Sequence, residues 1–310
     1  MAIVNTSVPV TSASSEQMIL RLVSTYPFFR TEVLSYTAFG RPIRSLVIGR
    51  GERKVLFTAA HHANEWITAL ILLKFAEDLA ESIRTDGEVF GIPGNLFDQY
   101  TQIHLVPMVD PDGVDLVVGA IGPGQEQYAQ ALQLSQNYPQ IPFPLGWKAN
   151  LLGVDLNLQY PAGWLQAREI KFSQGFTRPG PRDYVGRSPL SQQESRALAV
   201  YTETVDPVLV LAYHSQGEEI YWQFGDRTIP GARELGEEFA RLSGYRLADT
   251  PYNSAFAGYK DWFIQNFRRP GYTIEVGQGE NPLPLSQFPE IYRDNLGILT
   301  TAALGLPGGV

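Results

Sequence analysis

A histidine and a glutamate three residues apart, His62 and Glu65 in TAAHHANEWITAL, can both reach one cation across a strand-to-helix turn. The pair alone is weak evidence, because His-x-x-Glu arises by chance on the order of once in a few proteins. Taken by itself it reads as a polar turn with an acid in the first helical turn, where the macrodipole favours negative charge. Two further residues change the reading. His214 closes an apolar run in LVLAYHSQG, and Glu275 interrupts another in GYTIEVGQG. A buried acid at 275 could also pair with Arg268 or Arg269. In open α/β sheets, however, ligands gather at the carboxyl ends of strands, and all four residues fall at or beside such ends. Two histidines and one carboxylate make a catalytic zinc set that leaves a coordination place for water. A separate carboxylate is then needed as general base, and Glu275 is the spare one.

The chain has only four histidines. His61 competes with His62 for the ligand role. If the strand ends near Ala60, the two point to opposite sides, and only His62 has a glutamate at i+3. His104, inside IHLVP with no acidic neighbour, reads as a satisfied core histidine.

The elements that must position these residues follow from patterning. Four short apolar runs, 55–60, 103–109, 208–213 and 272–276, read as buried strands, each followed by turn or polar residues. Helical patterns lie between them at 66–83, 191–204 and 230–243. The first has apolar residues at Trp66, Leu70, Leu73, Ala76, Ala80 and Ile83, close to a 3.6 period. Strands alternating with amphipathic helices indicate an α/β fold. No linker splits the chain, so the expectation is a loose tail over 1–16 and a single domain over 17–310. The stretch from Gly119 to Asn150, rich in Gly, Pro, Gln and Tyr, reads as a long surface excursion.

Composition bounds the function. The 310 residues are 44% hydrophobic and 18% charged, enough apolar material for a sizeable core. Lys+Arg 24 against Asp+Glu 32 gives a net charge of −8, with no basic block. This argues against nucleic-acid or anionic-membrane partners. The absence of cysteine removes thiol nucleophiles, disulfides and Cys-ligated metal. No run approaches the roughly 18 apolar residues of a membrane span, and MAIVNTSVPVTSASSEQ lacks a signal-like start. The expectation is a soluble cytoplasmic protein.

Taken together, HHANEWITAL, VDPDGVDL, GVDLNLQYP, LAYHSQGEEIYW, GYKDWF and TIEVG resemble the zinc metallocarboxypeptidase family, in order from about Leu20 to Leu299. GVDLN-x-Q-x-PA, HSQGEEIYW and EVGQGENPLPLSQF look like one branch, the bacterial γ-D-glutamyl-L-diamino acid peptidases. The resemblance implies a mixed, mostly parallel central sheet flanked by helices. It implies one Zn2+ on His62, Glu65 and His214, with Glu275 as base. Asp155 matches the acid that hydrogen-bonds the first histidine ligand, and Asn157 a substrate-carboxylate contact. Lys148 stands where the family usually has an arginine that polarises the scissile carbonyl; the alternative is a solvated loop lysine. Lys260 aligns with the specificity position of the leaving-side pocket, where it would favour an acidic group; the alternative is a surface pair with Asp261. Tyr252 is the candidate for the tyrosine that covers substrate, with Tyr259 as competitor.

Two departures bear on the substrate. Carboxypeptidases proper follow the asparagine with an arginine that clamps the terminal carboxylate, and Leu158 fills that place here. Gln216 replaces the usual tyrosine after the serine. One of Arg178, Arg182 and Arg187 could replace the clamp by reaching the α-carboxylate of a γ-linked D-glutamyl residue, although each reads individually as a solvated loop residue. The resulting expectation is a zinc hydrolase acting on a small peptide substrate. It cleaves the γ-D-glutamyl bond to meso-diaminopimelate or L-Lys in peptidoglycan-derived peptides. The alternatives are a conventional metallocarboxypeptidase, a non-catalytic muropeptide-binding protein and an amidohydrolase that removes N-acyl groups.

Overall fold

The computed structural model describes residues 2–306. The chain runs through α1 (Ser12–Thr25), β1 (Arg30–Tyr36), β2 (Pro42–Ile48), β3 (Arg53–Thr58) and α2 (Ile67–Thr85). A small hairpin of β4 (Glu88–Val89) and β5 (Ile92–Pro93) leads to α3 (Gly94–Tyr100), β6 (Thr101–Val106), α4 (Pro111–Val117) and α5 (Glu126–Ser135). Then come α6 (Trp164–Ser173), α7 (Gln193–Val205), β7 (Leu209–His214), β8 (Glu219–Tyr221), α8 (Ala232–Ser243) and β9 (Arg246–Ala248). The last elements are α9 (Tyr259–Phe267), β10 (Gly271–Glu275) and α10 (Phe288–Leu304).

Eight strands form one sheet in the order β1-β2-β6-β3-β7-β10-β8-β9. The inner pairs β6/β3, β3/β7 and β7/β10 are parallel, as is β8/β9, while β1/β2, β2/β6 and β10/β8 are antiparallel. This is the mixed, mostly parallel α/β sheet implied by the family resemblance. Its central strands are apolar on both faces because helices cover both. In β3, Val55 and Phe57 face the core beneath α1, α2 and α10, while Leu56 faces the opposite core with α7 and α9. In β7, Leu209, Leu211 and Tyr213 face the first core, and Val210 and Ala212 the second. This is the period-2 alternation of a pleated strand.

The four expected strands and three expected helices are present with ends shifted by a few residues. The N-terminal stretch expected to be loose is packed. Ile3, Val4 and Val10 are buried, Val4 N donates to Glu77 Oε1, and α1 begins at Ser12 behind a Thr11 cap. Ser12 N and Oγ both donate to the Asp115 carboxylate, at 2.7 and 2.6 Å. The apolar residues that anchor this stretch are spaced without period, so patterning did not show them. The 119–150 excursion contains α5 and buries Trp147 completely. No helix among the described residues is long and apolar enough to cross a membrane.

Close packing sets one position beside the future site. Asp110 caps α4 by accepting from Gly113 N at 3.0 Å, and α4 packs against the 63–65 turn. A Cβ at Gly113 would lie 2.8 Å from both Ala63 Cβ and the Ala149 carbonyl oxygen. Only glycine permits that approach.

His104 is the satisfied core histidine expected from sequence. Tyr201 O–H donates to its Nδ1 (2.7 Å), and its Nε2–H donates to Gln102 Oε1 (2.9 Å). Burial, with Arg30 and Lys54 adding to it, pushes its pKa down to about 4. The unfolded chain binds that proton near pH 6.5 or so. Folding stability is therefore lost as pH falls from the unfolded value through the folded one, by up to about 3 kcal/mol for this group. His104→Gln is expected to remove this component. Urea denaturation from about pH 7 down to about pH 4 should then favour the variant by that amount relative to wild type. Parallel pH profiles would contradict it.

Candidate metal and catalytic site

Three neighbouring parallel strands deliver the site. β3 ends at Thr58, and the chain continues past the sheet edge to His61 and His62. Ala60 takes a left-handed backbone (φ 46°), and its N–H is held by Thr68 Oγ1 at 2.9 Å. A non-glycine residue in that region costs on the order of 1 kcal/mol, and it reorients the chain where the two histidines diverge. His61 goes into an aromatic stack behind His214, with rings 5.4 Å apart, beside Tyr259 and Tyr160. His62 faces the cavity. A 3₁₀ turn (Ala63–Glu65) follows, with Glu65 N–H donating to the His62 carbonyl (3.1 Å). In such a turn i and i+3 eclipse, so the Glu65 side chain lies over His62. His214 is the last residue of β7, and Glu275, the last of β10, stands in register with it.

The donor atoms converge. Glu65 Oε1 is 2.9 Å from His62 Nδ1, Glu65 Oε2 is 2.8 Å from His214 Nδ1, and the two Nδ1 atoms are 3.2 Å apart. All three residues are buried. Among the described residues this is the one group of three or more such side chains able to hold a metal ion. Zinc bonds of about 2.0–2.2 Å in a tetrahedron put ligand atoms roughly 3.3–3.5 Å apart, so the set fits such an ion with small adjustments. The outer contact is also in place. His62 Nε2–H donates to Asp155 Oδ1 (3.1 Å), which leaves Nδ1 as the ligating atom and fixes the ring. Asp155 is itself held by Asn157 N at 3.1 Å and Asp183 N at 3.3 Å.

Electrostatics follow from burial and close charges. Burial opposes charge on His62, but Glu65 and Asp155 outweigh it and raise the pKa to about 9 despite Lys148. To ligate a cation this imidazole must give up that proton. Burial raises the Asp155 carboxyl, yet His62, Lys148 and Lys171 hold it below the usual range. Burial, then the charge of Glu65, pushes the Glu275 carboxyl up to about 8. Burial lowers the Lys148 ammonium, but Glu65 more than offsets this and keeps it charged.

Lys148 is no solvated loop residue. Its Nζ lies 3.2 Å from Glu65 Oε1. Its backbone is pinned on both sides: the carbonyl accepts from Ala63 N (3.1 Å), and its N–H donates to the Pro181 carbonyl (2.7 Å). Buried Trp147 anchors the approach.

An inner cavity of about 180 Å³ opens beside the cluster, and His62, His214, Glu275, Lys148, Asp155 and Asn157 wall it. Leu158 and Lys260 also line it. Lys260 is buried, 2.5 Å from Asp261 Oδ1, and donates to the Gln223 carbonyl, so this pair belongs to the cavity and not to the surface. A larger, more open groove of about 770 Å³ adjoins it and shares Lys148, Arg182, Tyr221 and Glu275. Tyr252 is not brought to the cavity wall. It is 68% exposed, its ring edge-on to Phe256, although Thr250 and Ser254 on either side line the cavity. Its competitor Tyr259 is fully buried and hydrogen-bonded to Thr202, so it has no freedom to cover anything. Sequence reasoning missed the buried Lys171–Asp183 pair (2.6 Å), which walls the same cavity, and Tyr221. Tyr221 lay within the HSQGEEIYW motif, whereas nothing in the local pattern marks Asp183.

Comparison with known proteins agrees with this geometry. The family model described as zinc carboxypeptidase matches residues 15–297. The chain belongs to the zinc carboxypeptidase family. It is a metallopeptidase with the carboxypeptidase α/β fold. It is 42% identical over 283 residues to gamma-D-glutamyl-L-diamino acid endopeptidase 1 of Lysinibacillus sphaericus, covering 90% of this chain and 68% of that one. It is 37% identical over 294 residues to the uncharacterized protein YqgT of Bacillus subtilis, covering 93% and 75%. Bovine thrombin-activatable fibrinolysis inhibitor shares the fold at a TM-score of 0.73 with 15% identity, covering 96% of this chain and 97% of that one.

Asp155→Asn should weaken zinc affinity about 10- to 100-fold by loosening the His62 ring. Competition against a chromogenic chelator measures this, with circular dichroism as the check on folding. Unchanged affinity would show that Asp155 does not position the ligand.

Proposed function

We propose that this peptidase hydrolyses the γ-D-glutamyl bond to a diamino acid, meso-diaminopimelate or L-lysine, in peptidoglycan-derived peptides, with one zinc ion on His62, Glu65 and His214. The observation that carries the reading is the cavity beside the donor cluster, which apolar Leu158 and the buried Lys260–Asp261 pair both line. A leucine cannot grip a terminal carboxylate by two hydrogen bonds as an arginine does. Ordinary trimming of C-terminal residues therefore lacks its usual anchor. A lysine paired with an aspartate offers one charge of each sign, which suits diaminopimelate, whose side chain carries both amine and carboxylate, while L-lysine would use the aspartate alone. The resemblance to the endopeptidase of L. sphaericus supports the same substrate class.

When bound, zinc polarises the scissile carbonyl and acidifies the attacking water. Glu275, a half-buried carboxylate of raised basicity, accepts a proton from that water and delivers it to the departing amine. The carbon–nitrogen bond breaks as the new carbon–oxygen bond is completed, giving a γ-carboxylate and a free diamino acid. Lys148 places a fixed positive charge beside the carbonyl oxygen as it becomes negative. Asn157 and Lys260 contact the leaving residue, and the exposed Tyr252 swings in from the 250–254 segment to cover the bound substrate.

L-Ala-γ-D-Glu-meso-diaminopimelate incubated with zinc-loaded protein should release free diaminopimelate, detected by mass spectrometry. Glu275→Gln should keep the metal and lose about 10²- to 10⁴-fold in kcat. Lys148→Met should lose about 10²- to 10³-fold, with partial recovery in Lys148→Arg. Trimming of an α-linked peptide with no diaminopimelate release would overturn the reading in favour of a conventional carboxypeptidase.

A further inference from the structure

Three arginines lie on the loop between α6 and α7, and the structure separates them. Arg178 and Arg187 are exposed and line neither the inner cavity nor the shared groove. Arg182 lines both, in company with Lys148, Tyr221 and Glu275. It therefore stands where the inner cavity meets the open groove, both of which Glu275 and Lys148 also line.

The position is built, not incidental. The carbonyl of the preceding residue, Pro181, accepts from the backbone N–H groups of Lys148 and Ala149, at 2.7 and 2.9 Å. The N–H of the following residue, Asp183, donates to Asp155 Oδ2 at 3.3 Å, and Asp155 N–H donates to the Tyr184 carbonyl at 2.9 Å. The loop is thus tied on one side to Lys148 and on the other to the acid that holds His62. The guanidinium is tied as well. Arg182 Nε donates to Asp183 Oδ2 (2.6 Å), while Lys171 Nζ holds the other Asp183 oxygen at 2.6 Å. The Arg182 side chain keeps 42% exposure, so its head is fixed at the base yet open to the groove.

A γ-linked glutamyl residue carries a charged group on the acyl side that an α-linked residue with an apolar side chain lacks. Its α-carboxylate is free and stands three methylene or methine carbons from the scissile carbonyl. An α-linked residue with an apolar side chain has no carboxylate there, and an α-linked glutamate carries one but places its N-acyl amide beside the scissile carbonyl instead of beside the carboxylate. A guanidinium beside the reaction centre distinguishes these by charge and by its two-pronged geometry. We propose that Arg182 reads the free α-carboxylate of the γ-linked D-glutamyl residue on the acyl side of the scissile bond. This inference rests on the γ-D-glutamyl reading above. It assigns recognition of the acyl residue to this arginine and recognition of the leaving residue to Lys260 and Asp261. It also means that converting the α-carboxylate to its amide, which leaves the shape unchanged, makes a poor substrate.

The test compares two peptides, L-Ala-γ-D-Glu-meso-diaminopimelate and its α-carboxamide counterpart, on zinc-loaded wild type, Arg182→Gln and Arg182→Lys. Zinc content is measured for each protein. Wild type should prefer the free carboxylate by on the order of 10²-fold in kcat/KM, mostly through KM. In Arg182→Gln the ratio should collapse toward one, with Arg182→Lys in between. A purely structural role would lower both peptides together and leave the ratio intact. Equal turnover of the two peptides by wild type, or an unchanged ratio in Arg182→Gln, overturns the inference while the γ-D-glutamyl reading stands. Turnover of neither γ-linked peptide overturns that reading and this inference with it.

Discussion

The site depends on the register of three parallel strands. β3, β7 and β10 run side by side and end at one edge, so His62, His214 and Glu275 emerge together. Side chains alternate faces along a strand, and a one-residue slip of β7 against β10 would carry His214 or Glu275 to the opposite face. The apolar faces resist that slip, because Leu209, Leu211 and Tyr213 fill one core and Val210 and Ala212 the other. The core thereby enforces the geometry of the polar edge.

Burying this many charges is costly unless each has a partner. Here they form a chain. Glu65 meets His62, His214 and Lys148; Asp155 meets His62; Asp183 meets Lys171 and Arg182. Backbone donors from Asn157, Asp183 and Ser215 complete the carboxylates. Such a network is rigid, and rigidity is what a preorganised hydrolytic site requires. Glu275 is the exception, placed against Glu65 in a buried setting that raises its basicity.

Much of this was legible in the residues. Apolar runs ending in His214 and Glu275, and the His62–Glu65 pair after a third run, point to the sheet edge because strands announce themselves by burial. The divergence of His61 from His62 followed from strand geometry. Lys148 was ambiguous, since its placement depends on backbone ties to Ala63 and Pro181 that no local pattern encodes. Arg182 could not be told from Arg178 and Arg187 for the same reason: loop position is set by distant partners such as Asp155. The packed N-terminus was missed because Ile3, Val4 and Val10 contribute apolar area without period. Lys260 and Asp261 were recognised as a pair, but their burial came from the fold of α9 against the cavity.

The most direct test is a crystal structure of the zinc-loaded protein with anomalous data at the zinc edge. One strong peak bonded to His62 Nδ1, His214 Nδ1 and the Glu65 carboxylate is expected, with the His62 Nε2–Asp155 hydrogen bond intact. A peak on other side chains, or zinc held through the Nε2 atoms with Asp155 displaced, would contradict it.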